Sequence, residues 1–406
     1  MSDPIASPSE RLHGLDALRA FALLLGIVLH ACLAFFPSQV WLVADAQRST
    51  WASGLFFCIH LFRMASFFLI AGLFAELMLG RKGARAFVKD RAARIAAPLL
   101  VFWWLAMAGL IAAMVLSAQL QGLLKPGAAP PPSPPLTLAT FPLTHLWFLY
   151  VLMILYAGRL LIGALWRRLG TRGTRLGDRM AALLAGPAGP LLMGTVLGAS
   201  LLAQPMWLAF FGIPTPDRGF VPSAPALIGF GLAYACGALL AGRRNLLDRI
   251  ARQLPLHLGT AVLAGSTAFV LAGGSTPLLT PIADGGLRAL AALSYGVGTF
   301  AATFAALGIA LRWCSGFSAA RRYLADASYW IYIVHLPLVL LAQALMQSLA
   351  WPWWCKLAVV VAGVSAAGLG SYALLVRHTF IGRWLNGRRV PWRASPLPAR
   401  DAVAAH

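Results

Sequence analysis

From residue 15 to residue 376 the chain alternates long apolar runs with short hydrophilic gaps. The runs lie near 15–36, 52–79, 95–117, 143–165, 187–211, 224–242, 257–273, 289–311, 327–349 and 355–376. Each is close to the roughly 20 apolar residues that carry a helix across a bilayer. The pattern therefore predicts an all-α, polytopic integral membrane protein of about ten transmembrane helices, one domain over 1–406. An even number of crossings returns both termini to one side, with a short leading segment, about 1–14, and a basic tail, 377–406. The fifth run is interrupted by "GPAGP" at 186–190 and by Pro205, and proline removes a helix hydrogen bond.

Composition agrees: 60% of residues are hydrophobic, 11% are charged and the mean hydropathy is +0.76. A net charge of +21 would fit a nucleic-acid partner, but its distribution excludes that reading. Basic residues crowd alternate gaps, at 81–94, 167–179, 243–252, 312–322 and beyond Arg377. The intervening gaps hold about one each: Arg48, Lys125, Arg218, Arg288 and Lys356. By the positive-inside rule the rich gaps, and with them both termini, are cytoplasmic. The longest outward gap contains "KPGAAPPPSPP", residues 125–135, which reads as a spacer. Cys32, Cys58, Cys236, Cys314 and Cys355 are scattered without metal or redox spacing. "LHAC" before Cys32 echoes a lipoprotein cleavage site but lacks a basic leader, so the first helix reads as an uncleaved anchor.

Ionisable groups inside spans are costly, about 2.5 to 3.5 kcal/mol each on insertion scales, so they turn toward a polar interior. The first helix carries Asp16, Arg19 and His30. Eleven residues at 100° each return His30 to within roughly 20° of Arg19, about 16 Å further along the axis. Asp16, three residues before Arg19, lies near the same face. In the second run His60 and Arg63 sit one turn apart, where Arg63 has no easy route to either surface, while Glu76 lies on the opposite face and is excluded as their partner. The fourth run opens with His145 beside Trp147 at the outer interface. In the ninth, Ser328 and Tyr332 fall near the His335 side and Asp326 about 180° away.

Each of these residues has an ordinary structural use. Asp16 and Arg19 could form an interfacial pair that sets topology, the histidines could hydrogen-bond between helices, and His145 could belong to an aromatic belt. Arg91 and Arg94, an R-x-x-R at the cytoplasmic start of the third run, could be positive-inside charge. Spacing alone gives a hydrophilic track and no reaction. Histidines at i, i+4 are missing and carboxylates are few, so no metal site is expected.

"GLDALRAFALLLGIVLHA" resembles the first-helix signature of the acyltransferase-3 family, with Arg19 and His30 at the spacing of that family's arginine and histidine. "HLFRMASFFLIAGLF", "FVKDRAARIAAPLL", "THLWFLYVLMILY" and "SYWIYIVHLPLVL" are similar, in that order, to its glucan biosynthesis protein C branch, which is implicated in succinylating periplasmic glucans. One departure is Ala71-Gly72 where the family often has Ser-Gly, which removes the serine hydroxyl from consideration. The tail after residue 376 is short and basic, so a hydrolase-like domain of the kind some relatives carry is not expected here. The resemblance implies a multi-pass protein of the bacterial inner membrane with no bound cofactor. Its donor would be cytoplasmic acyl-CoA (succinyl-CoA or acetyl-CoA), and its acceptor a hydroxyl of an envelope glycan. His30 would be the general base, helped by Arg19, Asp16, His60 and Arg63; Arg91 and Arg94 would take donor phosphates; and His145, Trp147, Tyr332 and His335 would contact substrate. Oligomeric state is not encoded in these residues. The rival class is a transporter or flippase, which also lines its path with such groups, but no inverted repeat is visible.

Overall fold

A computed structural model describes residues 8–123 and 135–387, with side chains from residue 13 onward. Most of the proline-rich segment and the end of the basic tail lie outside the described residues. Among the described residues thirteen α-helices follow one another. They are α1 (Pro8–Cys32), α2 (Thr50–Arg91), α3 (Ala97–Leu120), α4 (Trp147–Arg167), α5 (Gly170–Leu184), α6 (Gly189–Leu202) and α7 (Ala224–Leu240). The rest are α8 (Arg244–Arg252), α9 (Leu254–Leu271), α10 (Gly285–Trp313), α11 (Ala319–Met346), α12 (Trp353–Ser371) and α13 (Phe380–Asn386). No strand occurs among the described residues, so the protein is all-α, as the pattern predicts.

Every apolar run coincides with a helix, but the crossings are less regular than about ten. Among the described residues seven helical stretches are long and apolar enough to cross a membrane, or up to nine if each of two bent pairs is one span. Three features account for the difference. The 17-residue α7 falls short of a full span and bends 119° into α8. Thr50–Leu120 is one helical stretch, interrupted at Gly83 (φ 77°, ψ 170°) and by a π-helical turn, Ala92–Ala96. The fifth run yields only the 14-residue α6, which stops at Leu202, short of Pro205, and meets α5 at 93°. Two basic gaps read as loops are themselves helical: α5 carries Arg172, Arg175 and Arg179, and α8 buries Leu246, Leu247 and Ile250 beneath its arginines. Such one-sided basic helices suit a membrane interface.

The core forms around α10, which packs on α9, α6, α2, α8 and α1, while α11 packs on α3, α1 and α12. Without a hydrophobic drive between helices in lipid, close backbone approach must do the work, and small residues permit it. At the α2–α7 crossing a Cβ on Gly72 would strike the Tyr234 carbonyl and one on Gly237 the Leu69 carbonyl. Gly72 is thus a packing residue. Outward faces carry Leu100, Val101, Trp104, Val262 and Leu263, exposed here and suited to lipid.

The candidate active site

A cavity of about 1370 Å³ runs between α1, α2, α3, α4 and α11. All eleven residues singled out in the sequence border it: Asp16, Arg19, His30, His60, Arg63, Arg91, Arg94, His145, Trp147, Tyr332 and His335. Its volume exceeds the 300 to 1,000 Å³ usual for a single small ligand.

At one end lie carboxylate-paired cations. Arg19 contacts Asp16 (3.5 Å) and donates to the Ala325 carbonyl (2.9 Å). Arg322 reaches both Asp16 (3.8 Å) and Asp326 (3.6 Å). Asp326 therefore borders the cavity together with Ser328, although the two point to different sides of α11; the mouth is wide enough to meet both faces of that helix's early turns. Arg91 immediately precedes the π turn and Arg94 lies within it, and both pair with Asp90, at 2.5 and 3.3 Å. Arg91 also lies over the rings of Phe87 and Tyr156. These arginines are held in place rather than free at a surface. The basic gaps assigned to the cytoplasm, 81–94, 312–322 and 377 onward, meet at this end: Trp384 donates to the Ala93 carbonyl (2.6 Å), and Asn386 to that of Asp326 (3.0 Å).

The middle holds unpaired groups. Among the described residues Arg63 forms no ion pair, and its Nε is buried without a partner. Its guanidinium passes where a Cβ on Gly26 would be, so only glycine at that position of α1 leaves it room. His60 stacks on Phe56 (5.1 Å, 12°), and its Nε2 lies 2.9 Å from the Phe211 carbonyl. A carbonyl only accepts, so Nε2 carries the proton and Nδ1 keeps the lone pair. His30 stacks on Trp41 (5.6 Å, 20°) and sits 5.3 Å from the His335 ring. Its Nδ1 is buried without a partner, which leaves Nε2 as the nitrogen a substrate can reach.

His145 does not sit outward in an aromatic belt. It is buried, 5.2 Å from His335, and its Nε2 donates to the Ile333 carbonyl (3.0 Å). Pro337 inside α11 explains why that carbonyl is available, because proline lacks the N–H that would bond four residues back. Tyr332 fixes the same turn by donating to the His145 carbonyl (2.7 Å), and His335 Nδ1 donates to the Tyr332 carbonyl (2.6 Å). Trp147 is buried, stacked on Phe230 (5.3 Å), and borders the cavity. Glu76 is spent elsewhere, in a two-pronged pair with Arg159 (2.7 Å each), consistent with its exclusion.

Sequence reasoning missed several lining groups. Thr144 has φ 53°, rare for a β-branched residue; its N–H donates to the Asp217 carbonyl (3.0 Å), and its hydroxyl lies 3.4 Å from His145 Nδ1. Asp217 and Arg218 line the far mouth, where Pro142 and Arg218 form an isolated antiparallel bridge. Gln343 accepts from the Trp41 indole (2.9 Å) and donates to the His30 carbonyl (3.0 Å), so it sets the ring that stacks on His30. Arg322 and Asp326, an i, i+4 pair at a span's edge, carried a sequence signal; Thr144 and Trp41 carried none, since only loop geometry brings them in.

Over 93 residues the chain is 37% identical to glucans biosynthesis protein C of Escherichia coli K12 and of Escherichia coli O1:K1 / APEC, a match covering 23% of this chain and 24% of either relative. The chain thus aligns with about a quarter of the length of these curated relatives. No solved structure matches. The family match is far longer, since residues 12–374 fit the family described as Acyltransferase domain. With that match over most of the sequence, on an all-α multi-pass scaffold, the chain belongs to the acyltransferase-3 family.

Proposed function

We propose that the protein moves an acyl group from cytoplasmic acyl-CoA to a hydroxyl of a periplasmic or cell-envelope glycan, in the bacterial inner membrane. The observation that carries this reading is the continuity of one cavity from Arg91, Arg94 and Arg322 to Asp217 and Arg218. A donor and an acceptor from opposite compartments can meet only in such a passage. The donor's phosphates rest near Arg91 and Arg94, whose guanidinium forks match phosphate oxygens. Arg19, held by Asp16, orients the thioester. His30 Nε2 takes the proton of the acceptor hydroxyl as its oxygen attacks the thioester carbonyl, and the carbon–sulfur bond then breaks. The proton passes to the leaving thiolate. Arg63 faces the developing oxyanion or, with a dicarboxylic acyl group, the free carboxylate. The latter use favours succinyl over acetyl, because a buried guanidinium without a counterion is completed by a substrate carboxylate.

Mass spectrometry of envelope glycans from cells with and without the gene tests this directly. Succinyl mass on sugar hydroxyls that disappears with the gene is expected; identical glycans with retained uptake or flipping of a substrate would return the transporter class. In membranes containing His30→Ala at matched protein level, transfer should fall about 10²- to 10⁴-fold. Near-normal turnover would remove His30 from the chemistry.

A further inference from the structure

A second cavity, about 540 Å³, lies at the cytoplasmic end between α2 and α13. Its lining holds four cations, Lys82, Lys89, Arg94 and Arg383, with the aromatic rings of Phe380 and Trp384. The one carboxylate present, Asp90, is already committed to Arg91 and Arg94. Among the described residues Lys82, Lys89 and Arg383 form no ion pair, so the groove keeps a positive excess. Its geometry is fixed: the Trp384 indole is tied to the Ala93 carbonyl and stacked on Phe102 (5.7 Å, 28°), while Phe380 is 74% exposed.

Arg94 borders both cavities, and α13 stands between them, with Leu385 and Asn386 toward the large one and Phe380, Arg383 and Trp384 toward the small one. The Arg94 guanidinium crosses beside Gly387 (φ 75°), where any Cβ would collide with it. A ligand whose reactive end lies in the large cavity would reach the groove by running along Arg94, the one residue that lines both.

We infer that this groove is a subsite for the phosphorylated nucleoside end of the donor. Lys82, Lys89 and Arg383 neutralise its phosphate, and Phe380 and Trp384 offer aromatic surface to its base. The assignment rests on the acyl-CoA reading above. It assigns recognition to residues that never approach the acyl group.

The test compares acyl-CoA with the truncated acyl-pantetheine, which lacks the nucleotide, using full-length protein in nanodiscs. The wild type should prefer acyl-CoA in kcat/KM. In the triple variant Lys82→Ala, Lys89→Ala, Arg383→Ala that preference should fall at least about ten-fold, and Lys82→Arg, Lys89→Arg should retain it. An unchanged preference, or a wild type with none, overturns the subsite. So does a loss seen only in nanodiscs containing phosphatidylglycerol, which would make the surface a lipid contact. If the wild type uses neither donor, the reaction reading fails, and binding of adenosine 3′,5′-bisphosphate decides the subsite alone. Binding lost in the triple variant sustains it, and equal binding overturns it.

Discussion

Two cations taken out of bulk water, Lys356 and Arg63, have opposite surroundings. Lys356 on α12 is 0% exposed, and both oxygens of Asp45, itself 3% exposed, lie at 2.8 and 2.9 Å from its ammonium. No room remains for a ligand, and the pair pins the loop after α1 to α12. Arg63 borders the large cavity with no carboxylate paired to it among the described residues. A buried charge with its counterion belongs to the scaffold, whereas one left open toward a cavity is completed by something that enters.

The sharpest way to break this contrast is to give both positions the same substitution. Arg63→Met should lower acyl transfer about 10²- to 10³-fold while thermal unfolding in detergent stays within about 1 kcal/mol of the parent. Lys356→Met should do the reverse, costing about 3 to 5 kcal/mol by stranding Asp45, with Asp45→Asn in the same chain recovering much of it. If both variants lose stability equally, Arg63 is scaffold as well. Gly26→Ala is a gentler probe of the same guanidinium: its methyl forces Arg63 aside, and turnover should drop about ten-fold with the fold intact. Pro337→Ala restores an N–H that competes with His145 for the Ile333 carbonyl, so a several-fold fall in kcat is expected. An unaltered rate would leave His145 a packing residue.

The smallest effect concerns Asp217 at the far mouth, outside the membrane-spanning helices. Burial raises its carboxyl above the usual 3.8, against the opposing influence of a backbone hydrogen bond and of Arg218. Between that value and the higher folded one, the folded protein keeps a proton that the unfolded chain has released, so stability falls as pH rises through the window. Asp217→Asn should therefore unfold at a slightly higher temperature than the parent at neutral pH, with the gain vanishing below about pH 3.8. A gain that persists in acid would point to a cause other than ionisation.

Lys356 and Arg63 also mark what the sequence could convey. Both are single basic letters beside or within apolar runs, and spacing placed one in an outer gap and the other in a span. That Lys356 is engulfed follows from Asp45, 311 residues away, and such a partner leaves no local periodicity. The same holds for Glu76 with Arg159 on another helix, and for His145, whose partner carbonyl is freed by a proline on α11.

The sequence by itself determined the all-α membrane architecture, because a run of apolar residues in lipid must satisfy its own backbone bonds and only a helix does so within one segment. It also marked eleven of the residues that border the cavity, because a charge in such a run is tolerated only on a polar face, and helical periodicity locates that face. Tertiary structure alone decided which charges are neutralised, which imidazole nitrogen stays open and where the passage runs. Those outcomes depend on which helices pack together, and contacts between residues hundreds of positions apart follow from packing in three dimensions rather than from any repeat along the chain.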